Sequence, residues 1–306
     1  MFNAHAHLEL SQLSAPFASS SVGIRRSMAD WVAALLAFRR SSDYDAVRAI
    51  QQAMQRPELL ESTVGVADIV PPLADRMARK MDVGQSMPAH TESDFGNVRW
   101  FPFTELIGWR SSQADALNYA PDTFGLSPHA PYTVCLELLE RAVNQCRPLA
   151  MHLAETPEEL QLLQQHTGHL LDMMRRADPE YNPKSVLVGK KPMDYLKLLS
   201  AAPNVFIIHG NYLDDTELRF LAERRETMAV VYCPRSHAYF GHSAYPLKKM
   251  LDFGVRILLG TDSLASVPNL SMIEEVQFAI AQHPMVAPGD IYRMATVEGY
   301  RAFGLC

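Results

Sequence analysis

FNAHAHLEL, residues 2–10, is the stretch on which the reading of the fold turns. Residues two apart on a β-strand point to one face. A strand that starts at FNAHA (2–6) therefore sets the imidazoles of His5 and His7 side by side, as a metal ion requires. Alone, an HxH pair is a weak signal. Its weight depends on whether the rest of the chain supplies a third ligand, a carboxylate and a scaffold that unites them.

Seven further apolar runs follow: TVGVA (63–67), WFPFTEL (100–106), TFGLS (123–127), PLAMHL (148–153), NVFIIH (204–209), MAVVYC (228–233) and VRILLG (255–260). Between them lie stretches with apolar residues at three- and four-residue spacing, among them SMADWVAALLAFRR, VCLELLERAVNQC, TPEELQLLQQHTGHLLDMMRR, DDTELRFLAERR, SMIEEVQFAIAQH and GDIYRMATVEGYRAFG. Thr156 ahead of Pro157, and the pair Asp214-Asp215, are suitable helix caps. Strands alternating with helices imply a parallel sheet. Eight of them, in 306 residues, predict an α/β fold of the (β/α)8 barrel type, one domain over 1–306. The polar run 81–98 reads as a surface excursion, and 179–192 as a long loop that could rim the site.

Such barrels gather their chemistry at the C-terminal ends of the strands. Here those ends carry His5 and His7, Asp68, Glu105, Ser127-Pro128-His129, His152 with Glu155, His209, the run Cys233-Pro234-Arg235-Ser236-His237, and Asp262. Every strand delivers a polar group to the same end. Plainer roles compete for several of them. His209 could be a hydrogen-bonded structural residue, and Asp262 could cap the loop or helix after it. Asp68 reads as a solvated rim residue. His90, His166, His169 and His283 read as surface, the Met173-Met174 pair as core filler, and His237 and His242 as pocket or rim.

Composition narrows the function classes. The chain is 48% hydrophobic with a formal net charge of −6, which argues against non-specific nucleic-acid binding. The start MFNAHAHLEL lacks the features of a signal peptide, and no segment reaches the length of a membrane span. Cys135, Cys146, Cys233 and Cys306 are scattered, as reduced thiols of a cytoplasmic protein would be.

Taken in order, NAHAHLE, SPHAPYTV, HLAET, IIHGNYL, YCPRSHAYFGH and LGTDSLAS resemble the amidohydrolase superfamily. More narrowly they resemble its deaminase and chlorohydrolase branch, which includes methylthioadenosine/S-adenosylhomocysteine and aminofutalosine deaminases. The resemblance implies a mononuclear site with His5, His7, His152 and Asp262 as metal ligands, since no lysine ends the fourth strand. It implies Glu155 as proton shuttle and His209 at the attacked centre, with Asp262 also able to take the water's proton. Glu105, His129, Arg235 and His237 would select the heterocycle. Three imidazoles and a carboxylate suit Zn2+, with Fe2+ or Mn2+ as alternatives, and such an ion generates hydroxide near neutral pH.

The implied reaction is hydrolysis of a C–N bond, the deamination of an amino-heterocycle. The alternatives are release of chloride or an alkylamine, or a barrel retained only for binding. The expected partners are a small heterocycle and water, with no nucleic acid and no membrane; a homodimer is left open. Two departures from the family stand out. SHAYFGH replaces an SN-type sequence, which loosens the link to adenosine-type substrates. Only four residues precede His5, and the chain stops at Cys306. The family's small β-sandwich is therefore expected to be missing, the first strand frayed, and metal loading weak.

Overall fold

In the computed structural model, residues 1–17, 27–71, 98–113, 117 and 123–305 are described. The run 81–97, His90 within it, and Cys306 lie outside them. Eight strands form one parallel sheet in chain order: β1 Phe2–Ala6, β2 Gly65–Val70, β3 Arg99–Leu106, β4 Gly125–Pro128, β5 Leu149–Leu153, β6 Val205–His209, β7 Met228–Tyr232 and β8 Ile257–Leu259. The sheet closes on itself beyond β8. A parallel bridge joins Ala6 to Asp262, and the N–H groups of Thr261 and Asp262 both donate to the His5 carbonyl at 3.1 and 3.0 Å. The (β/α)8 barrel read from the sequence is the fold.

Alternate residues line the lumen: Phe2, Ala4, Ala67, Ile69, Phe103, Ala150, Phe206, Ile208, Ala229, Val231 and Leu258 form one buried cluster. Their neighbours face the outer helices, Met151, Ile207, Val230 and Leu259 among them. Strands buried on both faces are near-continuous apolar runs for this reason. Phe303 plugs the N-terminal end of the lumen, stacked on Phe206 and Phe2 with ring centroids 4.6 and 4.3 Å away.

The first strand is not frayed. Its five residues are all buried. The Met1 ammonium donates to the Ser62 carbonyl at 2.8 Å, and the Phe2 N–H to that of Ala295 at 2.7 Å. Pairing with β2 on one side and the Asp262 bridge on the other anchors β1 along its length. The physical ground for weak metal loading is thereby removed. Gly260 makes the closing seam possible, because a Cβ there would stand 2.9 Å from the Cβ, N and O of His5. The expected result for Gly260→Ala is a loss of about 1–3 kcal/mol in stability, read by denaturant unfolding; an unchanged midpoint would show that the seam can widen freely.

Several sequence readings need adjustment. The stretch 156–176 is two helices, Pro157–Gln165 and His169–Ala177, broken where His166 and Gly168 take positive φ. The stretch 289–304 is likewise divided into Pro288–Met294 and Val297–Ala302. The loop 179–192 contains a helical turn, Pro183–Val186, and the Tyr181 hydroxyl donates to the Tyr132 carbonyl at 2.9 Å, fastening it over the loop that follows β4. Among the described residues, no helix is long and apolar enough to cross a membrane.

Candidate active site

Two departures from strict alternation assemble the site. In β1, Phe2 and Ala4 face the lumen, but the register with β2 slips between Asn3 and Ala6. After this bulge Ala6 packs outside, with Leu8 and Ile50, and the inward side passes to His5 and His7. Bulges re-aim side chains in this way. In β6, Ile208 faces the lumen, so alternation alone would turn His209 outward. His209 instead takes φ +68°, and its ring lies 5.8 Å from that of His5 and 5.5 Å from that of His152. Asp262 (φ +66°) and Ala154 (φ +53°), which follow β8 and β5, share this left-handed conformation. It costs a non-glycine residue about 1–2 kcal/mol and marks sites where backbone strain is retained for a purpose.

The result is a cage of buried donors. His5 is completely buried, with its ring 4.8 Å from that of His7 and 5.1 Å from that of His152. Donor atoms of His5, His152 and His209 lie within 4.8 Å of one another, and so do those of His5, His7 and Asp262. Neither ring nitrogen of His5 has a hydrogen-bond partner, nor has Nδ1 of His7. Buried polar atoms are normally paired, so orphans here call for a partner. The tautomer of His152 sharpens the point. Its Nδ1 lies 3.0 Å from the His129 carbonyl, which can only accept, so Nδ1 carries the proton. Nε2 therefore presents a lone pair, and it faces Nε2 of His7 at 3.3 Å. Fixing a ring through its far nitrogen is how metal-binding histidines are usually oriented. Burial, first, and the neighbouring imidazoles hold His7 and His152 well below the usual histidine range, so both are neutral donors at pH 7.

Asp262 completes the cage. Ser236 and Ser266 donate hydroxyls to its Oδ2 at 2.6 and 2.8 Å, while Oδ1 lies 3.7 Å from His5 Nε2 and 4.0 Å from His7 Nε2. Burial pushes this carboxyl up, but the imidazoles of His5, His209 and His7 outweigh burial and keep it ionised. The serines escaped the sequence reading, although Ser266 sits one helical turn after Asp262. Glu155 Oε1 stands 3.4 Å from His209 Nε2, and burial, aided by the charge of Asp262, raises its carboxyl well above the ordinary range. An ionised carboxylate thus stands near one whose hold on a proton is strengthened, the pairing that acid–base chemistry uses.

Around the cage, the sequence-derived residues divide. The ring of His129 lies 5.0 Å from that of His152, with Nδ1 2.9 Å from the Thr133 hydroxyl. Glu105 is buried, with Oε2 3.7 Å from Nη1 of Arg39. Arg39 in turn binds Glu9, which also accepts the Tyr44 hydroxyl. This group of Arg39, Glu9 and Tyr44 went unread, although Glu9 continues the two-residue spacing of His5 and His7. His237 is buried with Nε2 unpartnered, its ring 5.5 Å from that of Tyr245. His242 bonds the Tyr212 hydroxyl at 3.1 Å.

Three readings are corrected. Asp68 is no rim residue: it is fully buried on the outer side of β2, accepting the Leu8 N–H at 2.8 Å and the Trp100 indole N–H at 3.0 Å. His283 is half-buried and meets the Tyr232 hydroxyl at 3.1 Å. Arg235 is not available to a ligand, because its guanidinium is consumed by Glu275 (2.6 Å), Glu274 and Asn269 Oδ1 (2.8 Å each) and the carbonyls of Asn269 and Ser271. Arg235→Met would leave the Glu275 carboxylate buried without its cation. The expected cost is about 3 kcal/mol of stability in urea unfolding, with KM unmoved; a raised KM at unchanged stability would restore Arg235 to the pocket.

Comparison with known proteins places the geometry in context. The model of the amidohydrolase family matches residues 117–306. The 5-methylthioadenosine/S-adenosylhomocysteine deaminase of Pyrococcus furiosus is 33% identical over 193 residues, 60% of this chain and 41% of that protein. The aminodeoxyfutalosine deaminase of Deinococcus radiodurans is 29% identical over 265 residues, 78% of this chain and 60% of that one. The chain thus spans about half the length of these curated relatives. Among solved structures, Helicobacter pylori aminofutalosine deaminase in complex with methylthio-coformycin superposes with a TM-score of 0.77 at 20% identity, covering 99% of this chain and 73% of that one. At that identity the likeness speaks for the fold alone.

Proposed function

The chain belongs to the amidohydrolase family, and we propose that within it this protein is a mononuclear metal-dependent deaminase of an amino-heterocycle, an adenosine-like nucleoside first among them. The observation that carries the proposal is the orphaned His5, buried with both ring nitrogens unpartnered beside two further imidazoles and a carboxylate. His5, His7, His152 and Asp262 would hold the ion, and three nitrogens with one oxygen suit Zn2+ first, Fe2+ or Mn2+ next. When bound, the ion supplies a Lewis acid and lowers the pKa of water. In this proposal residues 1–306 act as one barrel domain in the cytosol, on a small molecule and water.

The side chains then divide the work. Glu155 receives a proton from the attacking water and delivers it to the ring nitrogen beside the attacked carbon. As the C–N bond breaks and the new hydroxyl becomes a carbonyl, Glu155 takes the proton that this hydroxyl gives up and passes it to the leaving amine, which departs as ammonia. His209, 3.4 Å from Glu155, faces the carbon under attack and steadies the charge that develops on its new oxygen. Ser236 and Ser266 keep one oxygen of Asp262 engaged so that only the other turns to the cage. Glu105, His129 and His237 line the approach and select the ring. Arg235 is left out of this set, for its donors are used.

The test is a screen for ammonia release from adenosine derivatives, aminofutalosine, guanine and cytosine, with Zn2+, Mn2+ or Fe2+ added. Turnover of any of them supports the proposal. Chloride or alkylamine release from triazines, with no ammonia from the amino-heterocycles, would reassign the leaving group. A metal-loaded protein silent on all would count for a binding barrel.

A further inference from the structure

Two helices of this barrel begin with the same capping motif, and they use it differently. Ahead of the helix Asp215–Ala222, Glu217 returns its carboxylate to the Asp214 N–H at 2.8 Å while the Asp214 side chain accepts the Glu217 N–H at 3.0 Å, which is the reciprocal box, and its other oxygen accepts the Met193 N–H at 3.0 Å, far from the cage. Ahead of the helix Pro157–Gln165, Thr156 accepts the Glu159 N–H at 3.1 Å, so half of the box is present. The Glu159 carboxylate, however, does not return to Thr156. It reaches further upstream and takes two successive amides, Ala154 N–H at 2.9 Å and Glu155 N–H at 3.0 Å. The residue is 1% exposed, so a carboxylate has been buried to make this reach, and burial pushes its pKa up to about 7. Glu217 is buried alike, at 2% exposed, so the two carboxylates differ in which amides they hold and not in burial.

The turn it grips is held from the other side as well. The Gly210 N–H donates to the Leu153 carbonyl at 3.2 Å, the Tyr212 N–H to that of Ala154 at 3.0 Å, and the Asn211 side-chain amide to that of Glu155 at 2.9 Å. Every main-chain polar group from the Leu153 carbonyl to the Glu155 carbonyl is therefore paired. Ala154, in the middle, is held at φ +53°. Such a conformation persists only where its surroundings over-determine it.

We infer that Glu159, with Asn211 as its counterpart, is a positioning residue that fixes the main chain of Glu155 and so sets where the Glu155 carboxyl meets His209. This rests on the reading of Glu155 as the proton carrier. Gln at 159 can accept only one of the two N–H groups, and its own amide confronts the other.

The expected result for Glu159→Gln is a fall in kcat of about 10²-fold with KM within about twofold and metal content unchanged. Glu217→Gln, the same change at the reciprocal box, should leave kcat alone. In a Glu155→Gln background, Glu159→Gln should cost nothing further, since it acts only through Glu155. Hydrogen exchange gives a readout that needs no turnover: the Ala154 and Glu155 amides should exchange at least about tenfold faster in Glu159→Gln while the global unfolding midpoint holds. Should Glu159→Gln fail to fold, Asn211→Ser loosens the same turn from the other side, with a smaller loss of kcat and faster exchange in the same peptide. Unchanged exchange, or losses that multiply in the double variant, would overturn the inference. A wild-type protein that releases no ammonia would instead undo the proposed function, and exchange would still decide the role of Glu159.

Discussion

Glu155→Gln abolishes ammonia release while the protein keeps its metal: turnover should fall about 10²- to 10⁴-fold, the range that a positioned proton carrier commands. The substitution keeps the size and shape of the side chain and removes its ability to take and give a proton. Glu155 stands outside both donor clusters, so metal content should match wild type. It meets the cage through one contact, 3.4 Å to His209. Ammonia release and metal analysis on the same preparation check both halves. Turnover within a few-fold of wild type would mean that the proton travels by another group. Loss of metal would mean that Glu155 belongs to the cage.

His5→Ala gives the second large effect. Partners one layer outside a metal typically govern about 10–100-fold in affinity. A residue at the centre of the cage should govern more, on the order of 10³-fold. The wild-type protein should carry close to one equivalent after purification, since β1 is held along its length and at both ends. An ion at a thousandfold excess over Kd adds about 4 kcal/mol to stability, which appears as a rise in the unfolding midpoint when Zn2+ replaces a chelator. In His5→Ala that rise should vanish. The metal-free variant should lose less stability than a buried truncation normally costs, because His5 has two unpartnered nitrogens that cost free energy in the metal-free state. A midpoint that still climbs with Zn2+ would place the ion elsewhere.

The barrel was legible in the sequence because its two signals are local: apolar runs of strand length, and polar residues gathered at one end of each. The cage was legible for the same reason, since His5, His7, His152 and Asp262 each sit where a strand ends. What escaped depends on contacts between distant parts of the chain. Asp68 looked like rim because the run TVGVA ends before it, yet β2 continues to Val70 and the donors to Asp68 come from Leu8 and Trp100. Arg235 looked like pocket because it follows a strand, but its partners lie more than thirty residues onward. The first strand looked loose because nothing nearby reveals Phe303 beneath it. His209 reaches the cage only because φ +68° overrides the alternation that would turn it away, which no pattern in the sequence announces.

The seam between β1 and β8 also sets an order in time. Asn3 and Thr261, hydrogen-bonded across it, are 258 residues apart. A ribosome makes the strand bearing His5 and His7 long before the segment bearing Asp262. Until that segment arrives β1 has one free edge, and its two imidazoles lack the carboxylate of Asp262. Contacts of such long separation form slowly, and an open edge invites the wrong partner. The cage therefore comes into being in a single event, when translation delivers the eighth strand to the first. Before that the nascent chain has histidines, but not the place where they meet.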